Sequence, residues 1–83
     1  MTDTIRRVVA EHARLRVDVA TLADEDDLYE AGMTSHASVN VMLGIEDAFD
    51  VEFPDAMLKR SVFESVGSIA AALRELDVEA SAA

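Results

Sequence analysis

Between Thr34 and Phe49, the residues Ser38, Val41, Met42, Ile45, Ala48 and Phe49 recur at three- and four-residue steps, the stripe of a helix that faces a core. Val39 and Leu43 lie four residues apart on another face, running from His36 toward the acidic pair Glu46 and Asp47. One helix therefore carries two apolar faces. The second is either buried by another element of the same fold or left open for a partner. Just upstream, Gly32 suits a turn that ends in left-handed backbone, and Thr34 or Ser35 suits the cap over the free amides that follow. Ser35 thus falls at a helix start.

The same periodicity predicts a first helix over roughly 4 to 15, capped by Asp3 or Thr4, with Ile5, Val8, Val9, His12 and Leu15 on one side and Arg6, Arg7, Glu11 and Arg14 on the other. His12 sits at the edge of that stripe and takes no functional role. From Arg16 to Ala31 the pattern breaks into a long loop, pinned by Leu22 and Leu28, with room for a turn of helix at Asp27 to Ala31. Its acidic run does not match a calcium loop: counted from Asp24, the fifth and sixth positions are Leu28 and Tyr29, where an oxygen ligand and a glycine are needed. The run reads as solvated charge. Pro54 suits the first turn of a short third helix through about Arg60, with Met57 and Leu58 inward and Ser61 to Glu64 as connector. Ser65 can cap a last helix in which Val66, Ile69, Ala70, Leu73 and Leu76 follow helical spacing. The tail Asp77 to Ala83 is expected to fray. The fold so predicted is all-α: one domain over 1–83, a predominantly antiparallel four-helix bundle of three main helices and a short third, with the long loop between the first two.

Composition narrows the partners more than the fold. Three Phe and one Tyr leave the packing to aliphatic side chains and alanine, and 83 residues bury only about 60–65% of the unfolded surface. Seventeen acidic residues against seven basic ones give a formal charge of −10, which opposes nucleic acid and anionic lipid and calls for basic partners. With no cysteine, disulfides and thiolate metal sites are excluded. No apolar run reaches the roughly 20 residues of a membrane span, and no charged leader opens the chain, so the expectation is a soluble, cytoplasmic monomer.

Self-contained catalysis finds little support. Ser35 and His36 are neighbours in sequence, but adjacent helical residues point a quarter turn or more apart, so His36 is poorly placed to take the Ser35 proton. Two histidines on different helices give no ligand spacing, and no metal is expected. On the residues alone Ser35 is an N-cap worth about 1 kcal/mol.

The run Asp27-Leu28-Tyr29-Glu30-Ala31-Gly32-Met33-Thr34-Ser35-His36, followed by Ile45-Glu46-Asp47-Ala48-Phe49-Asp50-Val51-Glu52-Phe53-Pro54, resembles an acyl carrier protein, in register and without gaps from Leu28 to Pro54. The resemblance implies a non-catalytic carrier whose 4′-phosphopantetheine is attached to Ser35, the serine that opens the second helix. A phosphodiester there would benefit from the free amides and dipole of a helix N-terminus. With no cysteine in the chain, the arm's thiol would be the only one. The resemblance also makes the second face a docking surface, built of Thr34, His36, Val39, Asn40, Leu43, Glu46 and Asp47, for a phosphopantetheinyl transferase, a loading enzyme and a downstream acceptor enzyme.

Departures from the family pattern refine this. Thr34 stands where the family usually has Asp, His36 where it has Leu, and Asn40 where it often has Glu, which points away from generic fatty-acid partners. Gly32 to Ser35, Ala37 to Val39 and Met42 to Glu46 are most similar to bacterial aminoacyl carrier proteins. Those are loaded with glycine or alanine by stand-alone ligases resembling seryl-tRNA synthetase. Two other functions stay in view: an ordinary acyl or peptidyl carrier of fatty-acid, polyketide or nonribosomal-peptide synthesis, and a non-carrier acidic helical module.

Overall fold

The computed structural model describes residues 2–76, which form α1 (Thr2–His12), α2 (Ser35–Phe49), a one-turn α3 (Arg60–Phe63) and α4 (Val66–Glu75). Short 3₁₀ turns occupy Val19–Thr21 and Asp55–Met57, and no strand occurs among the described residues. The all-α, four-helix expectation holds. The expected fraying of the tail from Asp77 lies outside the described residues.

Burial follows the apolar stripes. Ile5, Val8 and Val9 of α1, Ala37, Val41 and Ile45 of α2, and Val66, Ile69, Ala70 and Leu73 of α4 share one core, with α1 packed on both α2 and α4, and α3 on α4. Ala48, expected inside, is exposed, and Ala37 is buried instead. A single methyl carries too little transfer energy for periodicity alone to decide its side.

At Gly44 side chains of α1 press close against the α2 backbone. A Cβ there would stand 2.7 Å from Val8 Cγ1 and 2.8 Å from His12 Cδ2, so His12 serves to pack against the α2 backbone. Gly44→Ala gains up to about 1 kcal/mol of helix propensity but overpacks a buried valine, at a cost of about 1–3 kcal/mol. The expected outcome is a net loss of stability in urea unfolding. A more stable variant would show that α1 yields without cost.

The boundaries shift where tertiary contacts intervene. α1 begins at Thr2, so Asp3 does not cap it but lies in its first turn, and the helix ends at His12 rather than Leu15. Arg14 then adopts left-handed backbone at φ 54°, which turns the chain so that the Arg16 amide donates to the Ala31 carbonyl at 2.9 Å. In the loop the helical piece is Val19–Thr21, capped by Asp18, while Asp27 to Ala31 is a set of hydrogen-bonded turns and not a helix. Leu28 is fully buried and Leu22 packs against the core, as expected.

The third helix departs most from expectation. Pro54 leads into the 3₁₀ turn Asp55–Met57, and the α-helical turn comes at Arg60–Phe63, where a connector was expected. Burial of Phe63 accounts for this: its ring meets Phe53 edge-on at 5.3 Å between centroids, a favoured aromatic geometry. Met57 packs inward, but Leu58 turns outward at 46% exposure.

Two backbone bonds fasten the long loop to the far end of the bundle. The Gly67 amide, in the first turn of α4, donates to the Asp24 carbonyl, and the Leu28 amide donates to the Glu64 carbonyl, both at 2.7 Å. Arg6 ties the loop to α1 through the Val19 carbonyl at 2.8 Å and the Asp24 carboxylate at 2.6 Å. Ser65 and Ser68 close a reciprocal capping box at the start of α4, which satisfies two amides that the helix cannot.

Candidate functional site

The residues leading into α2 are held from both sides. Gly32 takes φ 118°, and a Cβ on it would fall 2.9 Å from Arg16 Cγ and 3.1 Å from the Arg16 nitrogen; only glycine meets both demands. The Met33 amide donates to the Leu28 carbonyl at 3.0 Å, and both side chains are buried. Their burial anchors the turn, so that Thr34 and Ser35 emerge at a set place on the surface.

The cap and the serine then divide two tasks. Thr34 is the N-cap, its Oγ1 accepting from the Ala37 amide at 3.0 Å. Ser35 is the first residue of the helix and exposed. Among the described residues its hydroxyl has no hydrogen-bond partner; only its carbonyl is engaged, accepting from the Ser38 hydroxyl at 2.6 Å. A hydroxyl at a helix N-terminus, free of capping duty and beside first-turn amides that the helix cannot satisfy, suits the attachment of an anionic group. His36 is exposed beside it and makes no hydrogen bond with the Ser35 hydroxyl. Among the described residues no three His, Cys, Asp or Glu converge to hold a metal, and no helix is long and apolar enough to cross a membrane.

The second apolar face of α2 is open. Val39 and Leu43 are 51% and 52% exposed, and His36, Asn40 and Asp47 beside them are exposed as well. Of the two readings that the sequence leaves for this face, burial by another described element is therefore removed. Glu46 differs from its neighbours: it is half-buried, and its Oε2 accepts from the Phe53 amide at 2.8 Å. It holds the chain that leaves α2, where Asp50 ends the helix in left-handed backbone at φ 54°.

A groove of about 410 Å³ opens at Ser35. Ser35, Ser38, Val39 and Met42 of α2 form one wall, and Leu58, Lys59, Arg60 and Phe63 the other, with Tyr29 from the loop. The Arg60 guanidinium carbon stands 3.9 Å from the centre of the Tyr29 ring, a cation–π contact. Sequence reasoning did not single out this second wall. Its available signal was Lys59-Arg60, one of two adjacent basic pairs in a strongly acidic chain. Ser38, expected toward the core, lines the groove.

Comparison with known proteins gives three concordant results. The family described as "Phosphopantetheine attachment site" matches residues 3–73. The aminoacyl carrier protein of Agrobacterium fabrum is 54% identical over 69 residues, covering 83% of each chain. Among solved structures, the carrier protein from Agrobacterium tumefaciens, in complex with an engineered Bradyrhizobium japonicum glycine:carrier protein ligase and AMP, superposes with a TM-score of 0.87 at 50% identity, over 89% of this chain and 99% of that one. A glycylated carrier protein bound to the B. japonicum ligase matches at TM-score 0.73 and 27% identity, over 86% of this chain and 95% of that one.

Proposed function

We propose, because the chain belongs to the family of carrier proteins with a phosphopantetheine attachment site, that Ser35 bears the 4′-phosphopantetheine and that the arm's thiol holds glycine or alanine as a thioester for a downstream acceptor enzyme. The observation that carries this reading is the Ser35 hydroxyl, exposed and uncommitted at the first position of α2 while Thr34 supplies the cap. The surroundings fit the group. First-turn amides and the helix dipole favour the phosphodiester, and the groove beside it offers apolar walls to the carbon chain that follows. When bound, the arm supplies the thiol that the chain itself lacks.

The choice of an amino acid as cargo rests on the relatives, which are named as an aminoacyl carrier protein or captured with a glycine:carrier protein ligase. It also rests on Thr34, His36 and Asn40, where the wider family differs. The carrier presents the cargo, and the chemistry of loading belongs to the ligase. The work is placed in the cytoplasm, where ATP for such a ligase is available.

Coexpression with a phosphopantetheinyl transferase is expected to add one arm to the intact mass. The holo protein should then accept glycine or alanine from an ATP-dependent amino acid:carrier-protein ligase as a hydroxylamine-sensitive thioester. Ready loading with malonyl or a medium-chain acyl group, and with no amino acid, would replace this reading with that of an ordinary acyl carrier. Absence of any mass gain would leave the acidic interaction module.

Docking is proposed to centre on Val39 and Leu43, with Thr34, His36, Asn40, Glu46 and Asp47 at the rim. A polar residue at Leu43 is expected mainly to hasten dissociation, whereas rim charges steer encounter. Asp47→Lys should slow association with the ligase and flatten its salt dependence, leaving stability unchanged. Glu46→Lys should do the same and also cost about 1–2 kcal/mol, since it removes the acceptor of the Phe53 amide. Stopped-flow binding at two salt concentrations, set beside urea unfolding, separates the two variants; equal stability losses would contradict the role given to Glu46.

A further inference from the structure

We infer that Lys59 and Arg60 hold the phosphodiester of the arm on Ser35 and lay the arm's first portion along the groove between α2 and α3; the inference rests on the reading of Ser35 given above. Arg6 pairs with Asp24, but Arg7, Arg14 and Arg16 form no ion pair among the described residues, so it is position, and not the lack of a carboxylate, that sets Lys59 and Arg60 apart. Lys59 and Arg60, adjacent in sequence, form no ion pair and donate no side-chain hydrogen bond among the described residues. Both line the groove that Ser35 also lines.

Arg60 is held in place without using its donors. Its guanidinium lies over the face of Tyr29 at 3.9 Å, and the N–H groups remain available for an anionic acceptor. Lys59 stands next to it in sequence as a compact point charge, exposed and lining the same groove. A phosphodiester on Ser35 brings a single negative charge to the mouth of this groove, where two cations and the free first-turn amides of α2 can share it. Beyond the mouth, Val39, Met42, Leu58 and Phe63 line the groove, a surface suited to the saturated carbons that follow the phosphate. A fixed base and a free thioester end would present the cargo beside the Val39 and Leu43 face, to an enzyme docked there.

The test compares apo and holo protein by ¹H–¹⁵N and ³¹P spectroscopy, with intact mass establishing that the arm is on Ser35. Attachment is expected to shift the Arg60 side-chain N–H and the amides of Tyr29, Leu58 and Lys59, in addition to those of Ser35 and His36. In Lys59→Gln/Arg60→Gln the groove shifts and the wild-type ³¹P position should be lost while the Ser35 and His36 changes remain. Lys59→Arg/Arg60→Lys should restore both. Lys59→Gln alone, which leaves Arg60 on Tyr29, should give a partial loss with an unchanged apo spectrum elsewhere. If the arm is attached but the changes stay within residues 34–38, and the ³¹P position is the same in wild type and double variant, the holder is overturned and the carrier reading stands. If Ser35 gains no mass, both fall.

Discussion

Ser35→Ala is expected to abolish phosphopantetheine attachment completely while leaving the fold nearly untouched. The physical reason is the division of labour at the start of α2. Had Ser35 been the cap, its loss would have removed an acceptor for a first-turn amide and confounded loss of the site with loss of the helix. Thr34 holds that position instead, through its bond to the Ala37 amide, and the Ser35 hydroxyl makes no hydrogen bond among the described residues. The stability change should therefore stay within about 0.5 kcal/mol, as for an ordinary surface substitution. Thr34→Ala gives the opposite pattern: a loss of about 1 kcal/mol with the arm still attached. Intact mass after coexpression with a phosphopantetheinyl transferase, together with urea unfolding of both variants, checks the pair. Persistent attachment in Ser35→Ala would put the site on another serine. Among the other described serines, the hydroxyls of Ser38, Ser65 and Ser68 are engaged with the Ser35 carbonyl, the Ser68 amide and the Val62 carbonyl respectively, and Ser61 lies within the one-turn α3 and opens no long helix.

Ile45→Ala is expected to cost about 2–5 kcal/mol, the transfer energy of the lost carbons together with the cavity they leave. Ile45 is fully buried in the core that α1, α2 and α4 share. A chain of 83 residues has only about 4–12 kcal/mol to lose. The variant should unfold at much lower urea with an unchanged slope, and fraying of α2 should reduce attachment at Ser35 as temperature rises. Leu43→Ala, two residues away on the same helix, is the control: its side chain is half exposed, and its stability should change by less than about 1 kcal/mol. Similar losses at the two positions would mean that the open face of α2 is covered in solution.

How far each feature was legible follows from the range of the interaction that decides it. The stripes of α1, α2 and α4 were readable because helical periodicity is a local signal, and because Val41, Ile45, Ile69 and Leu73 each bury enough carbon to commit a face. Gly32 and Ser65 were readable too, since left-handed backbone and helix capping are decided within a few residues. The third helix was misplaced because a local rule about Pro54 competed with the long-range demand to bury Phe63 against Phe53, and the long-range demand prevailed. The groove wall at Lys59 and Arg60 was hidden for the same reason: nothing within a few residues says that this pair faces Ser35, twenty-four positions upstream of Lys59.

The sequence by itself determined the helical class, the serine at the start of α2, the two apolar faces of that helix and the acidity that selects basic partners, because each depends on residue identity and short spacing. Only the tertiary structure decided which face stays open, that Thr34 and not Ser35 carries the cap, that Glu46 is tied to the Phe53 amide, and that Lys59 and Arg60 share a groove with the serine. Those outcomes depend on which distant segments meet, and that is settled by packing a small core from all the helices at once.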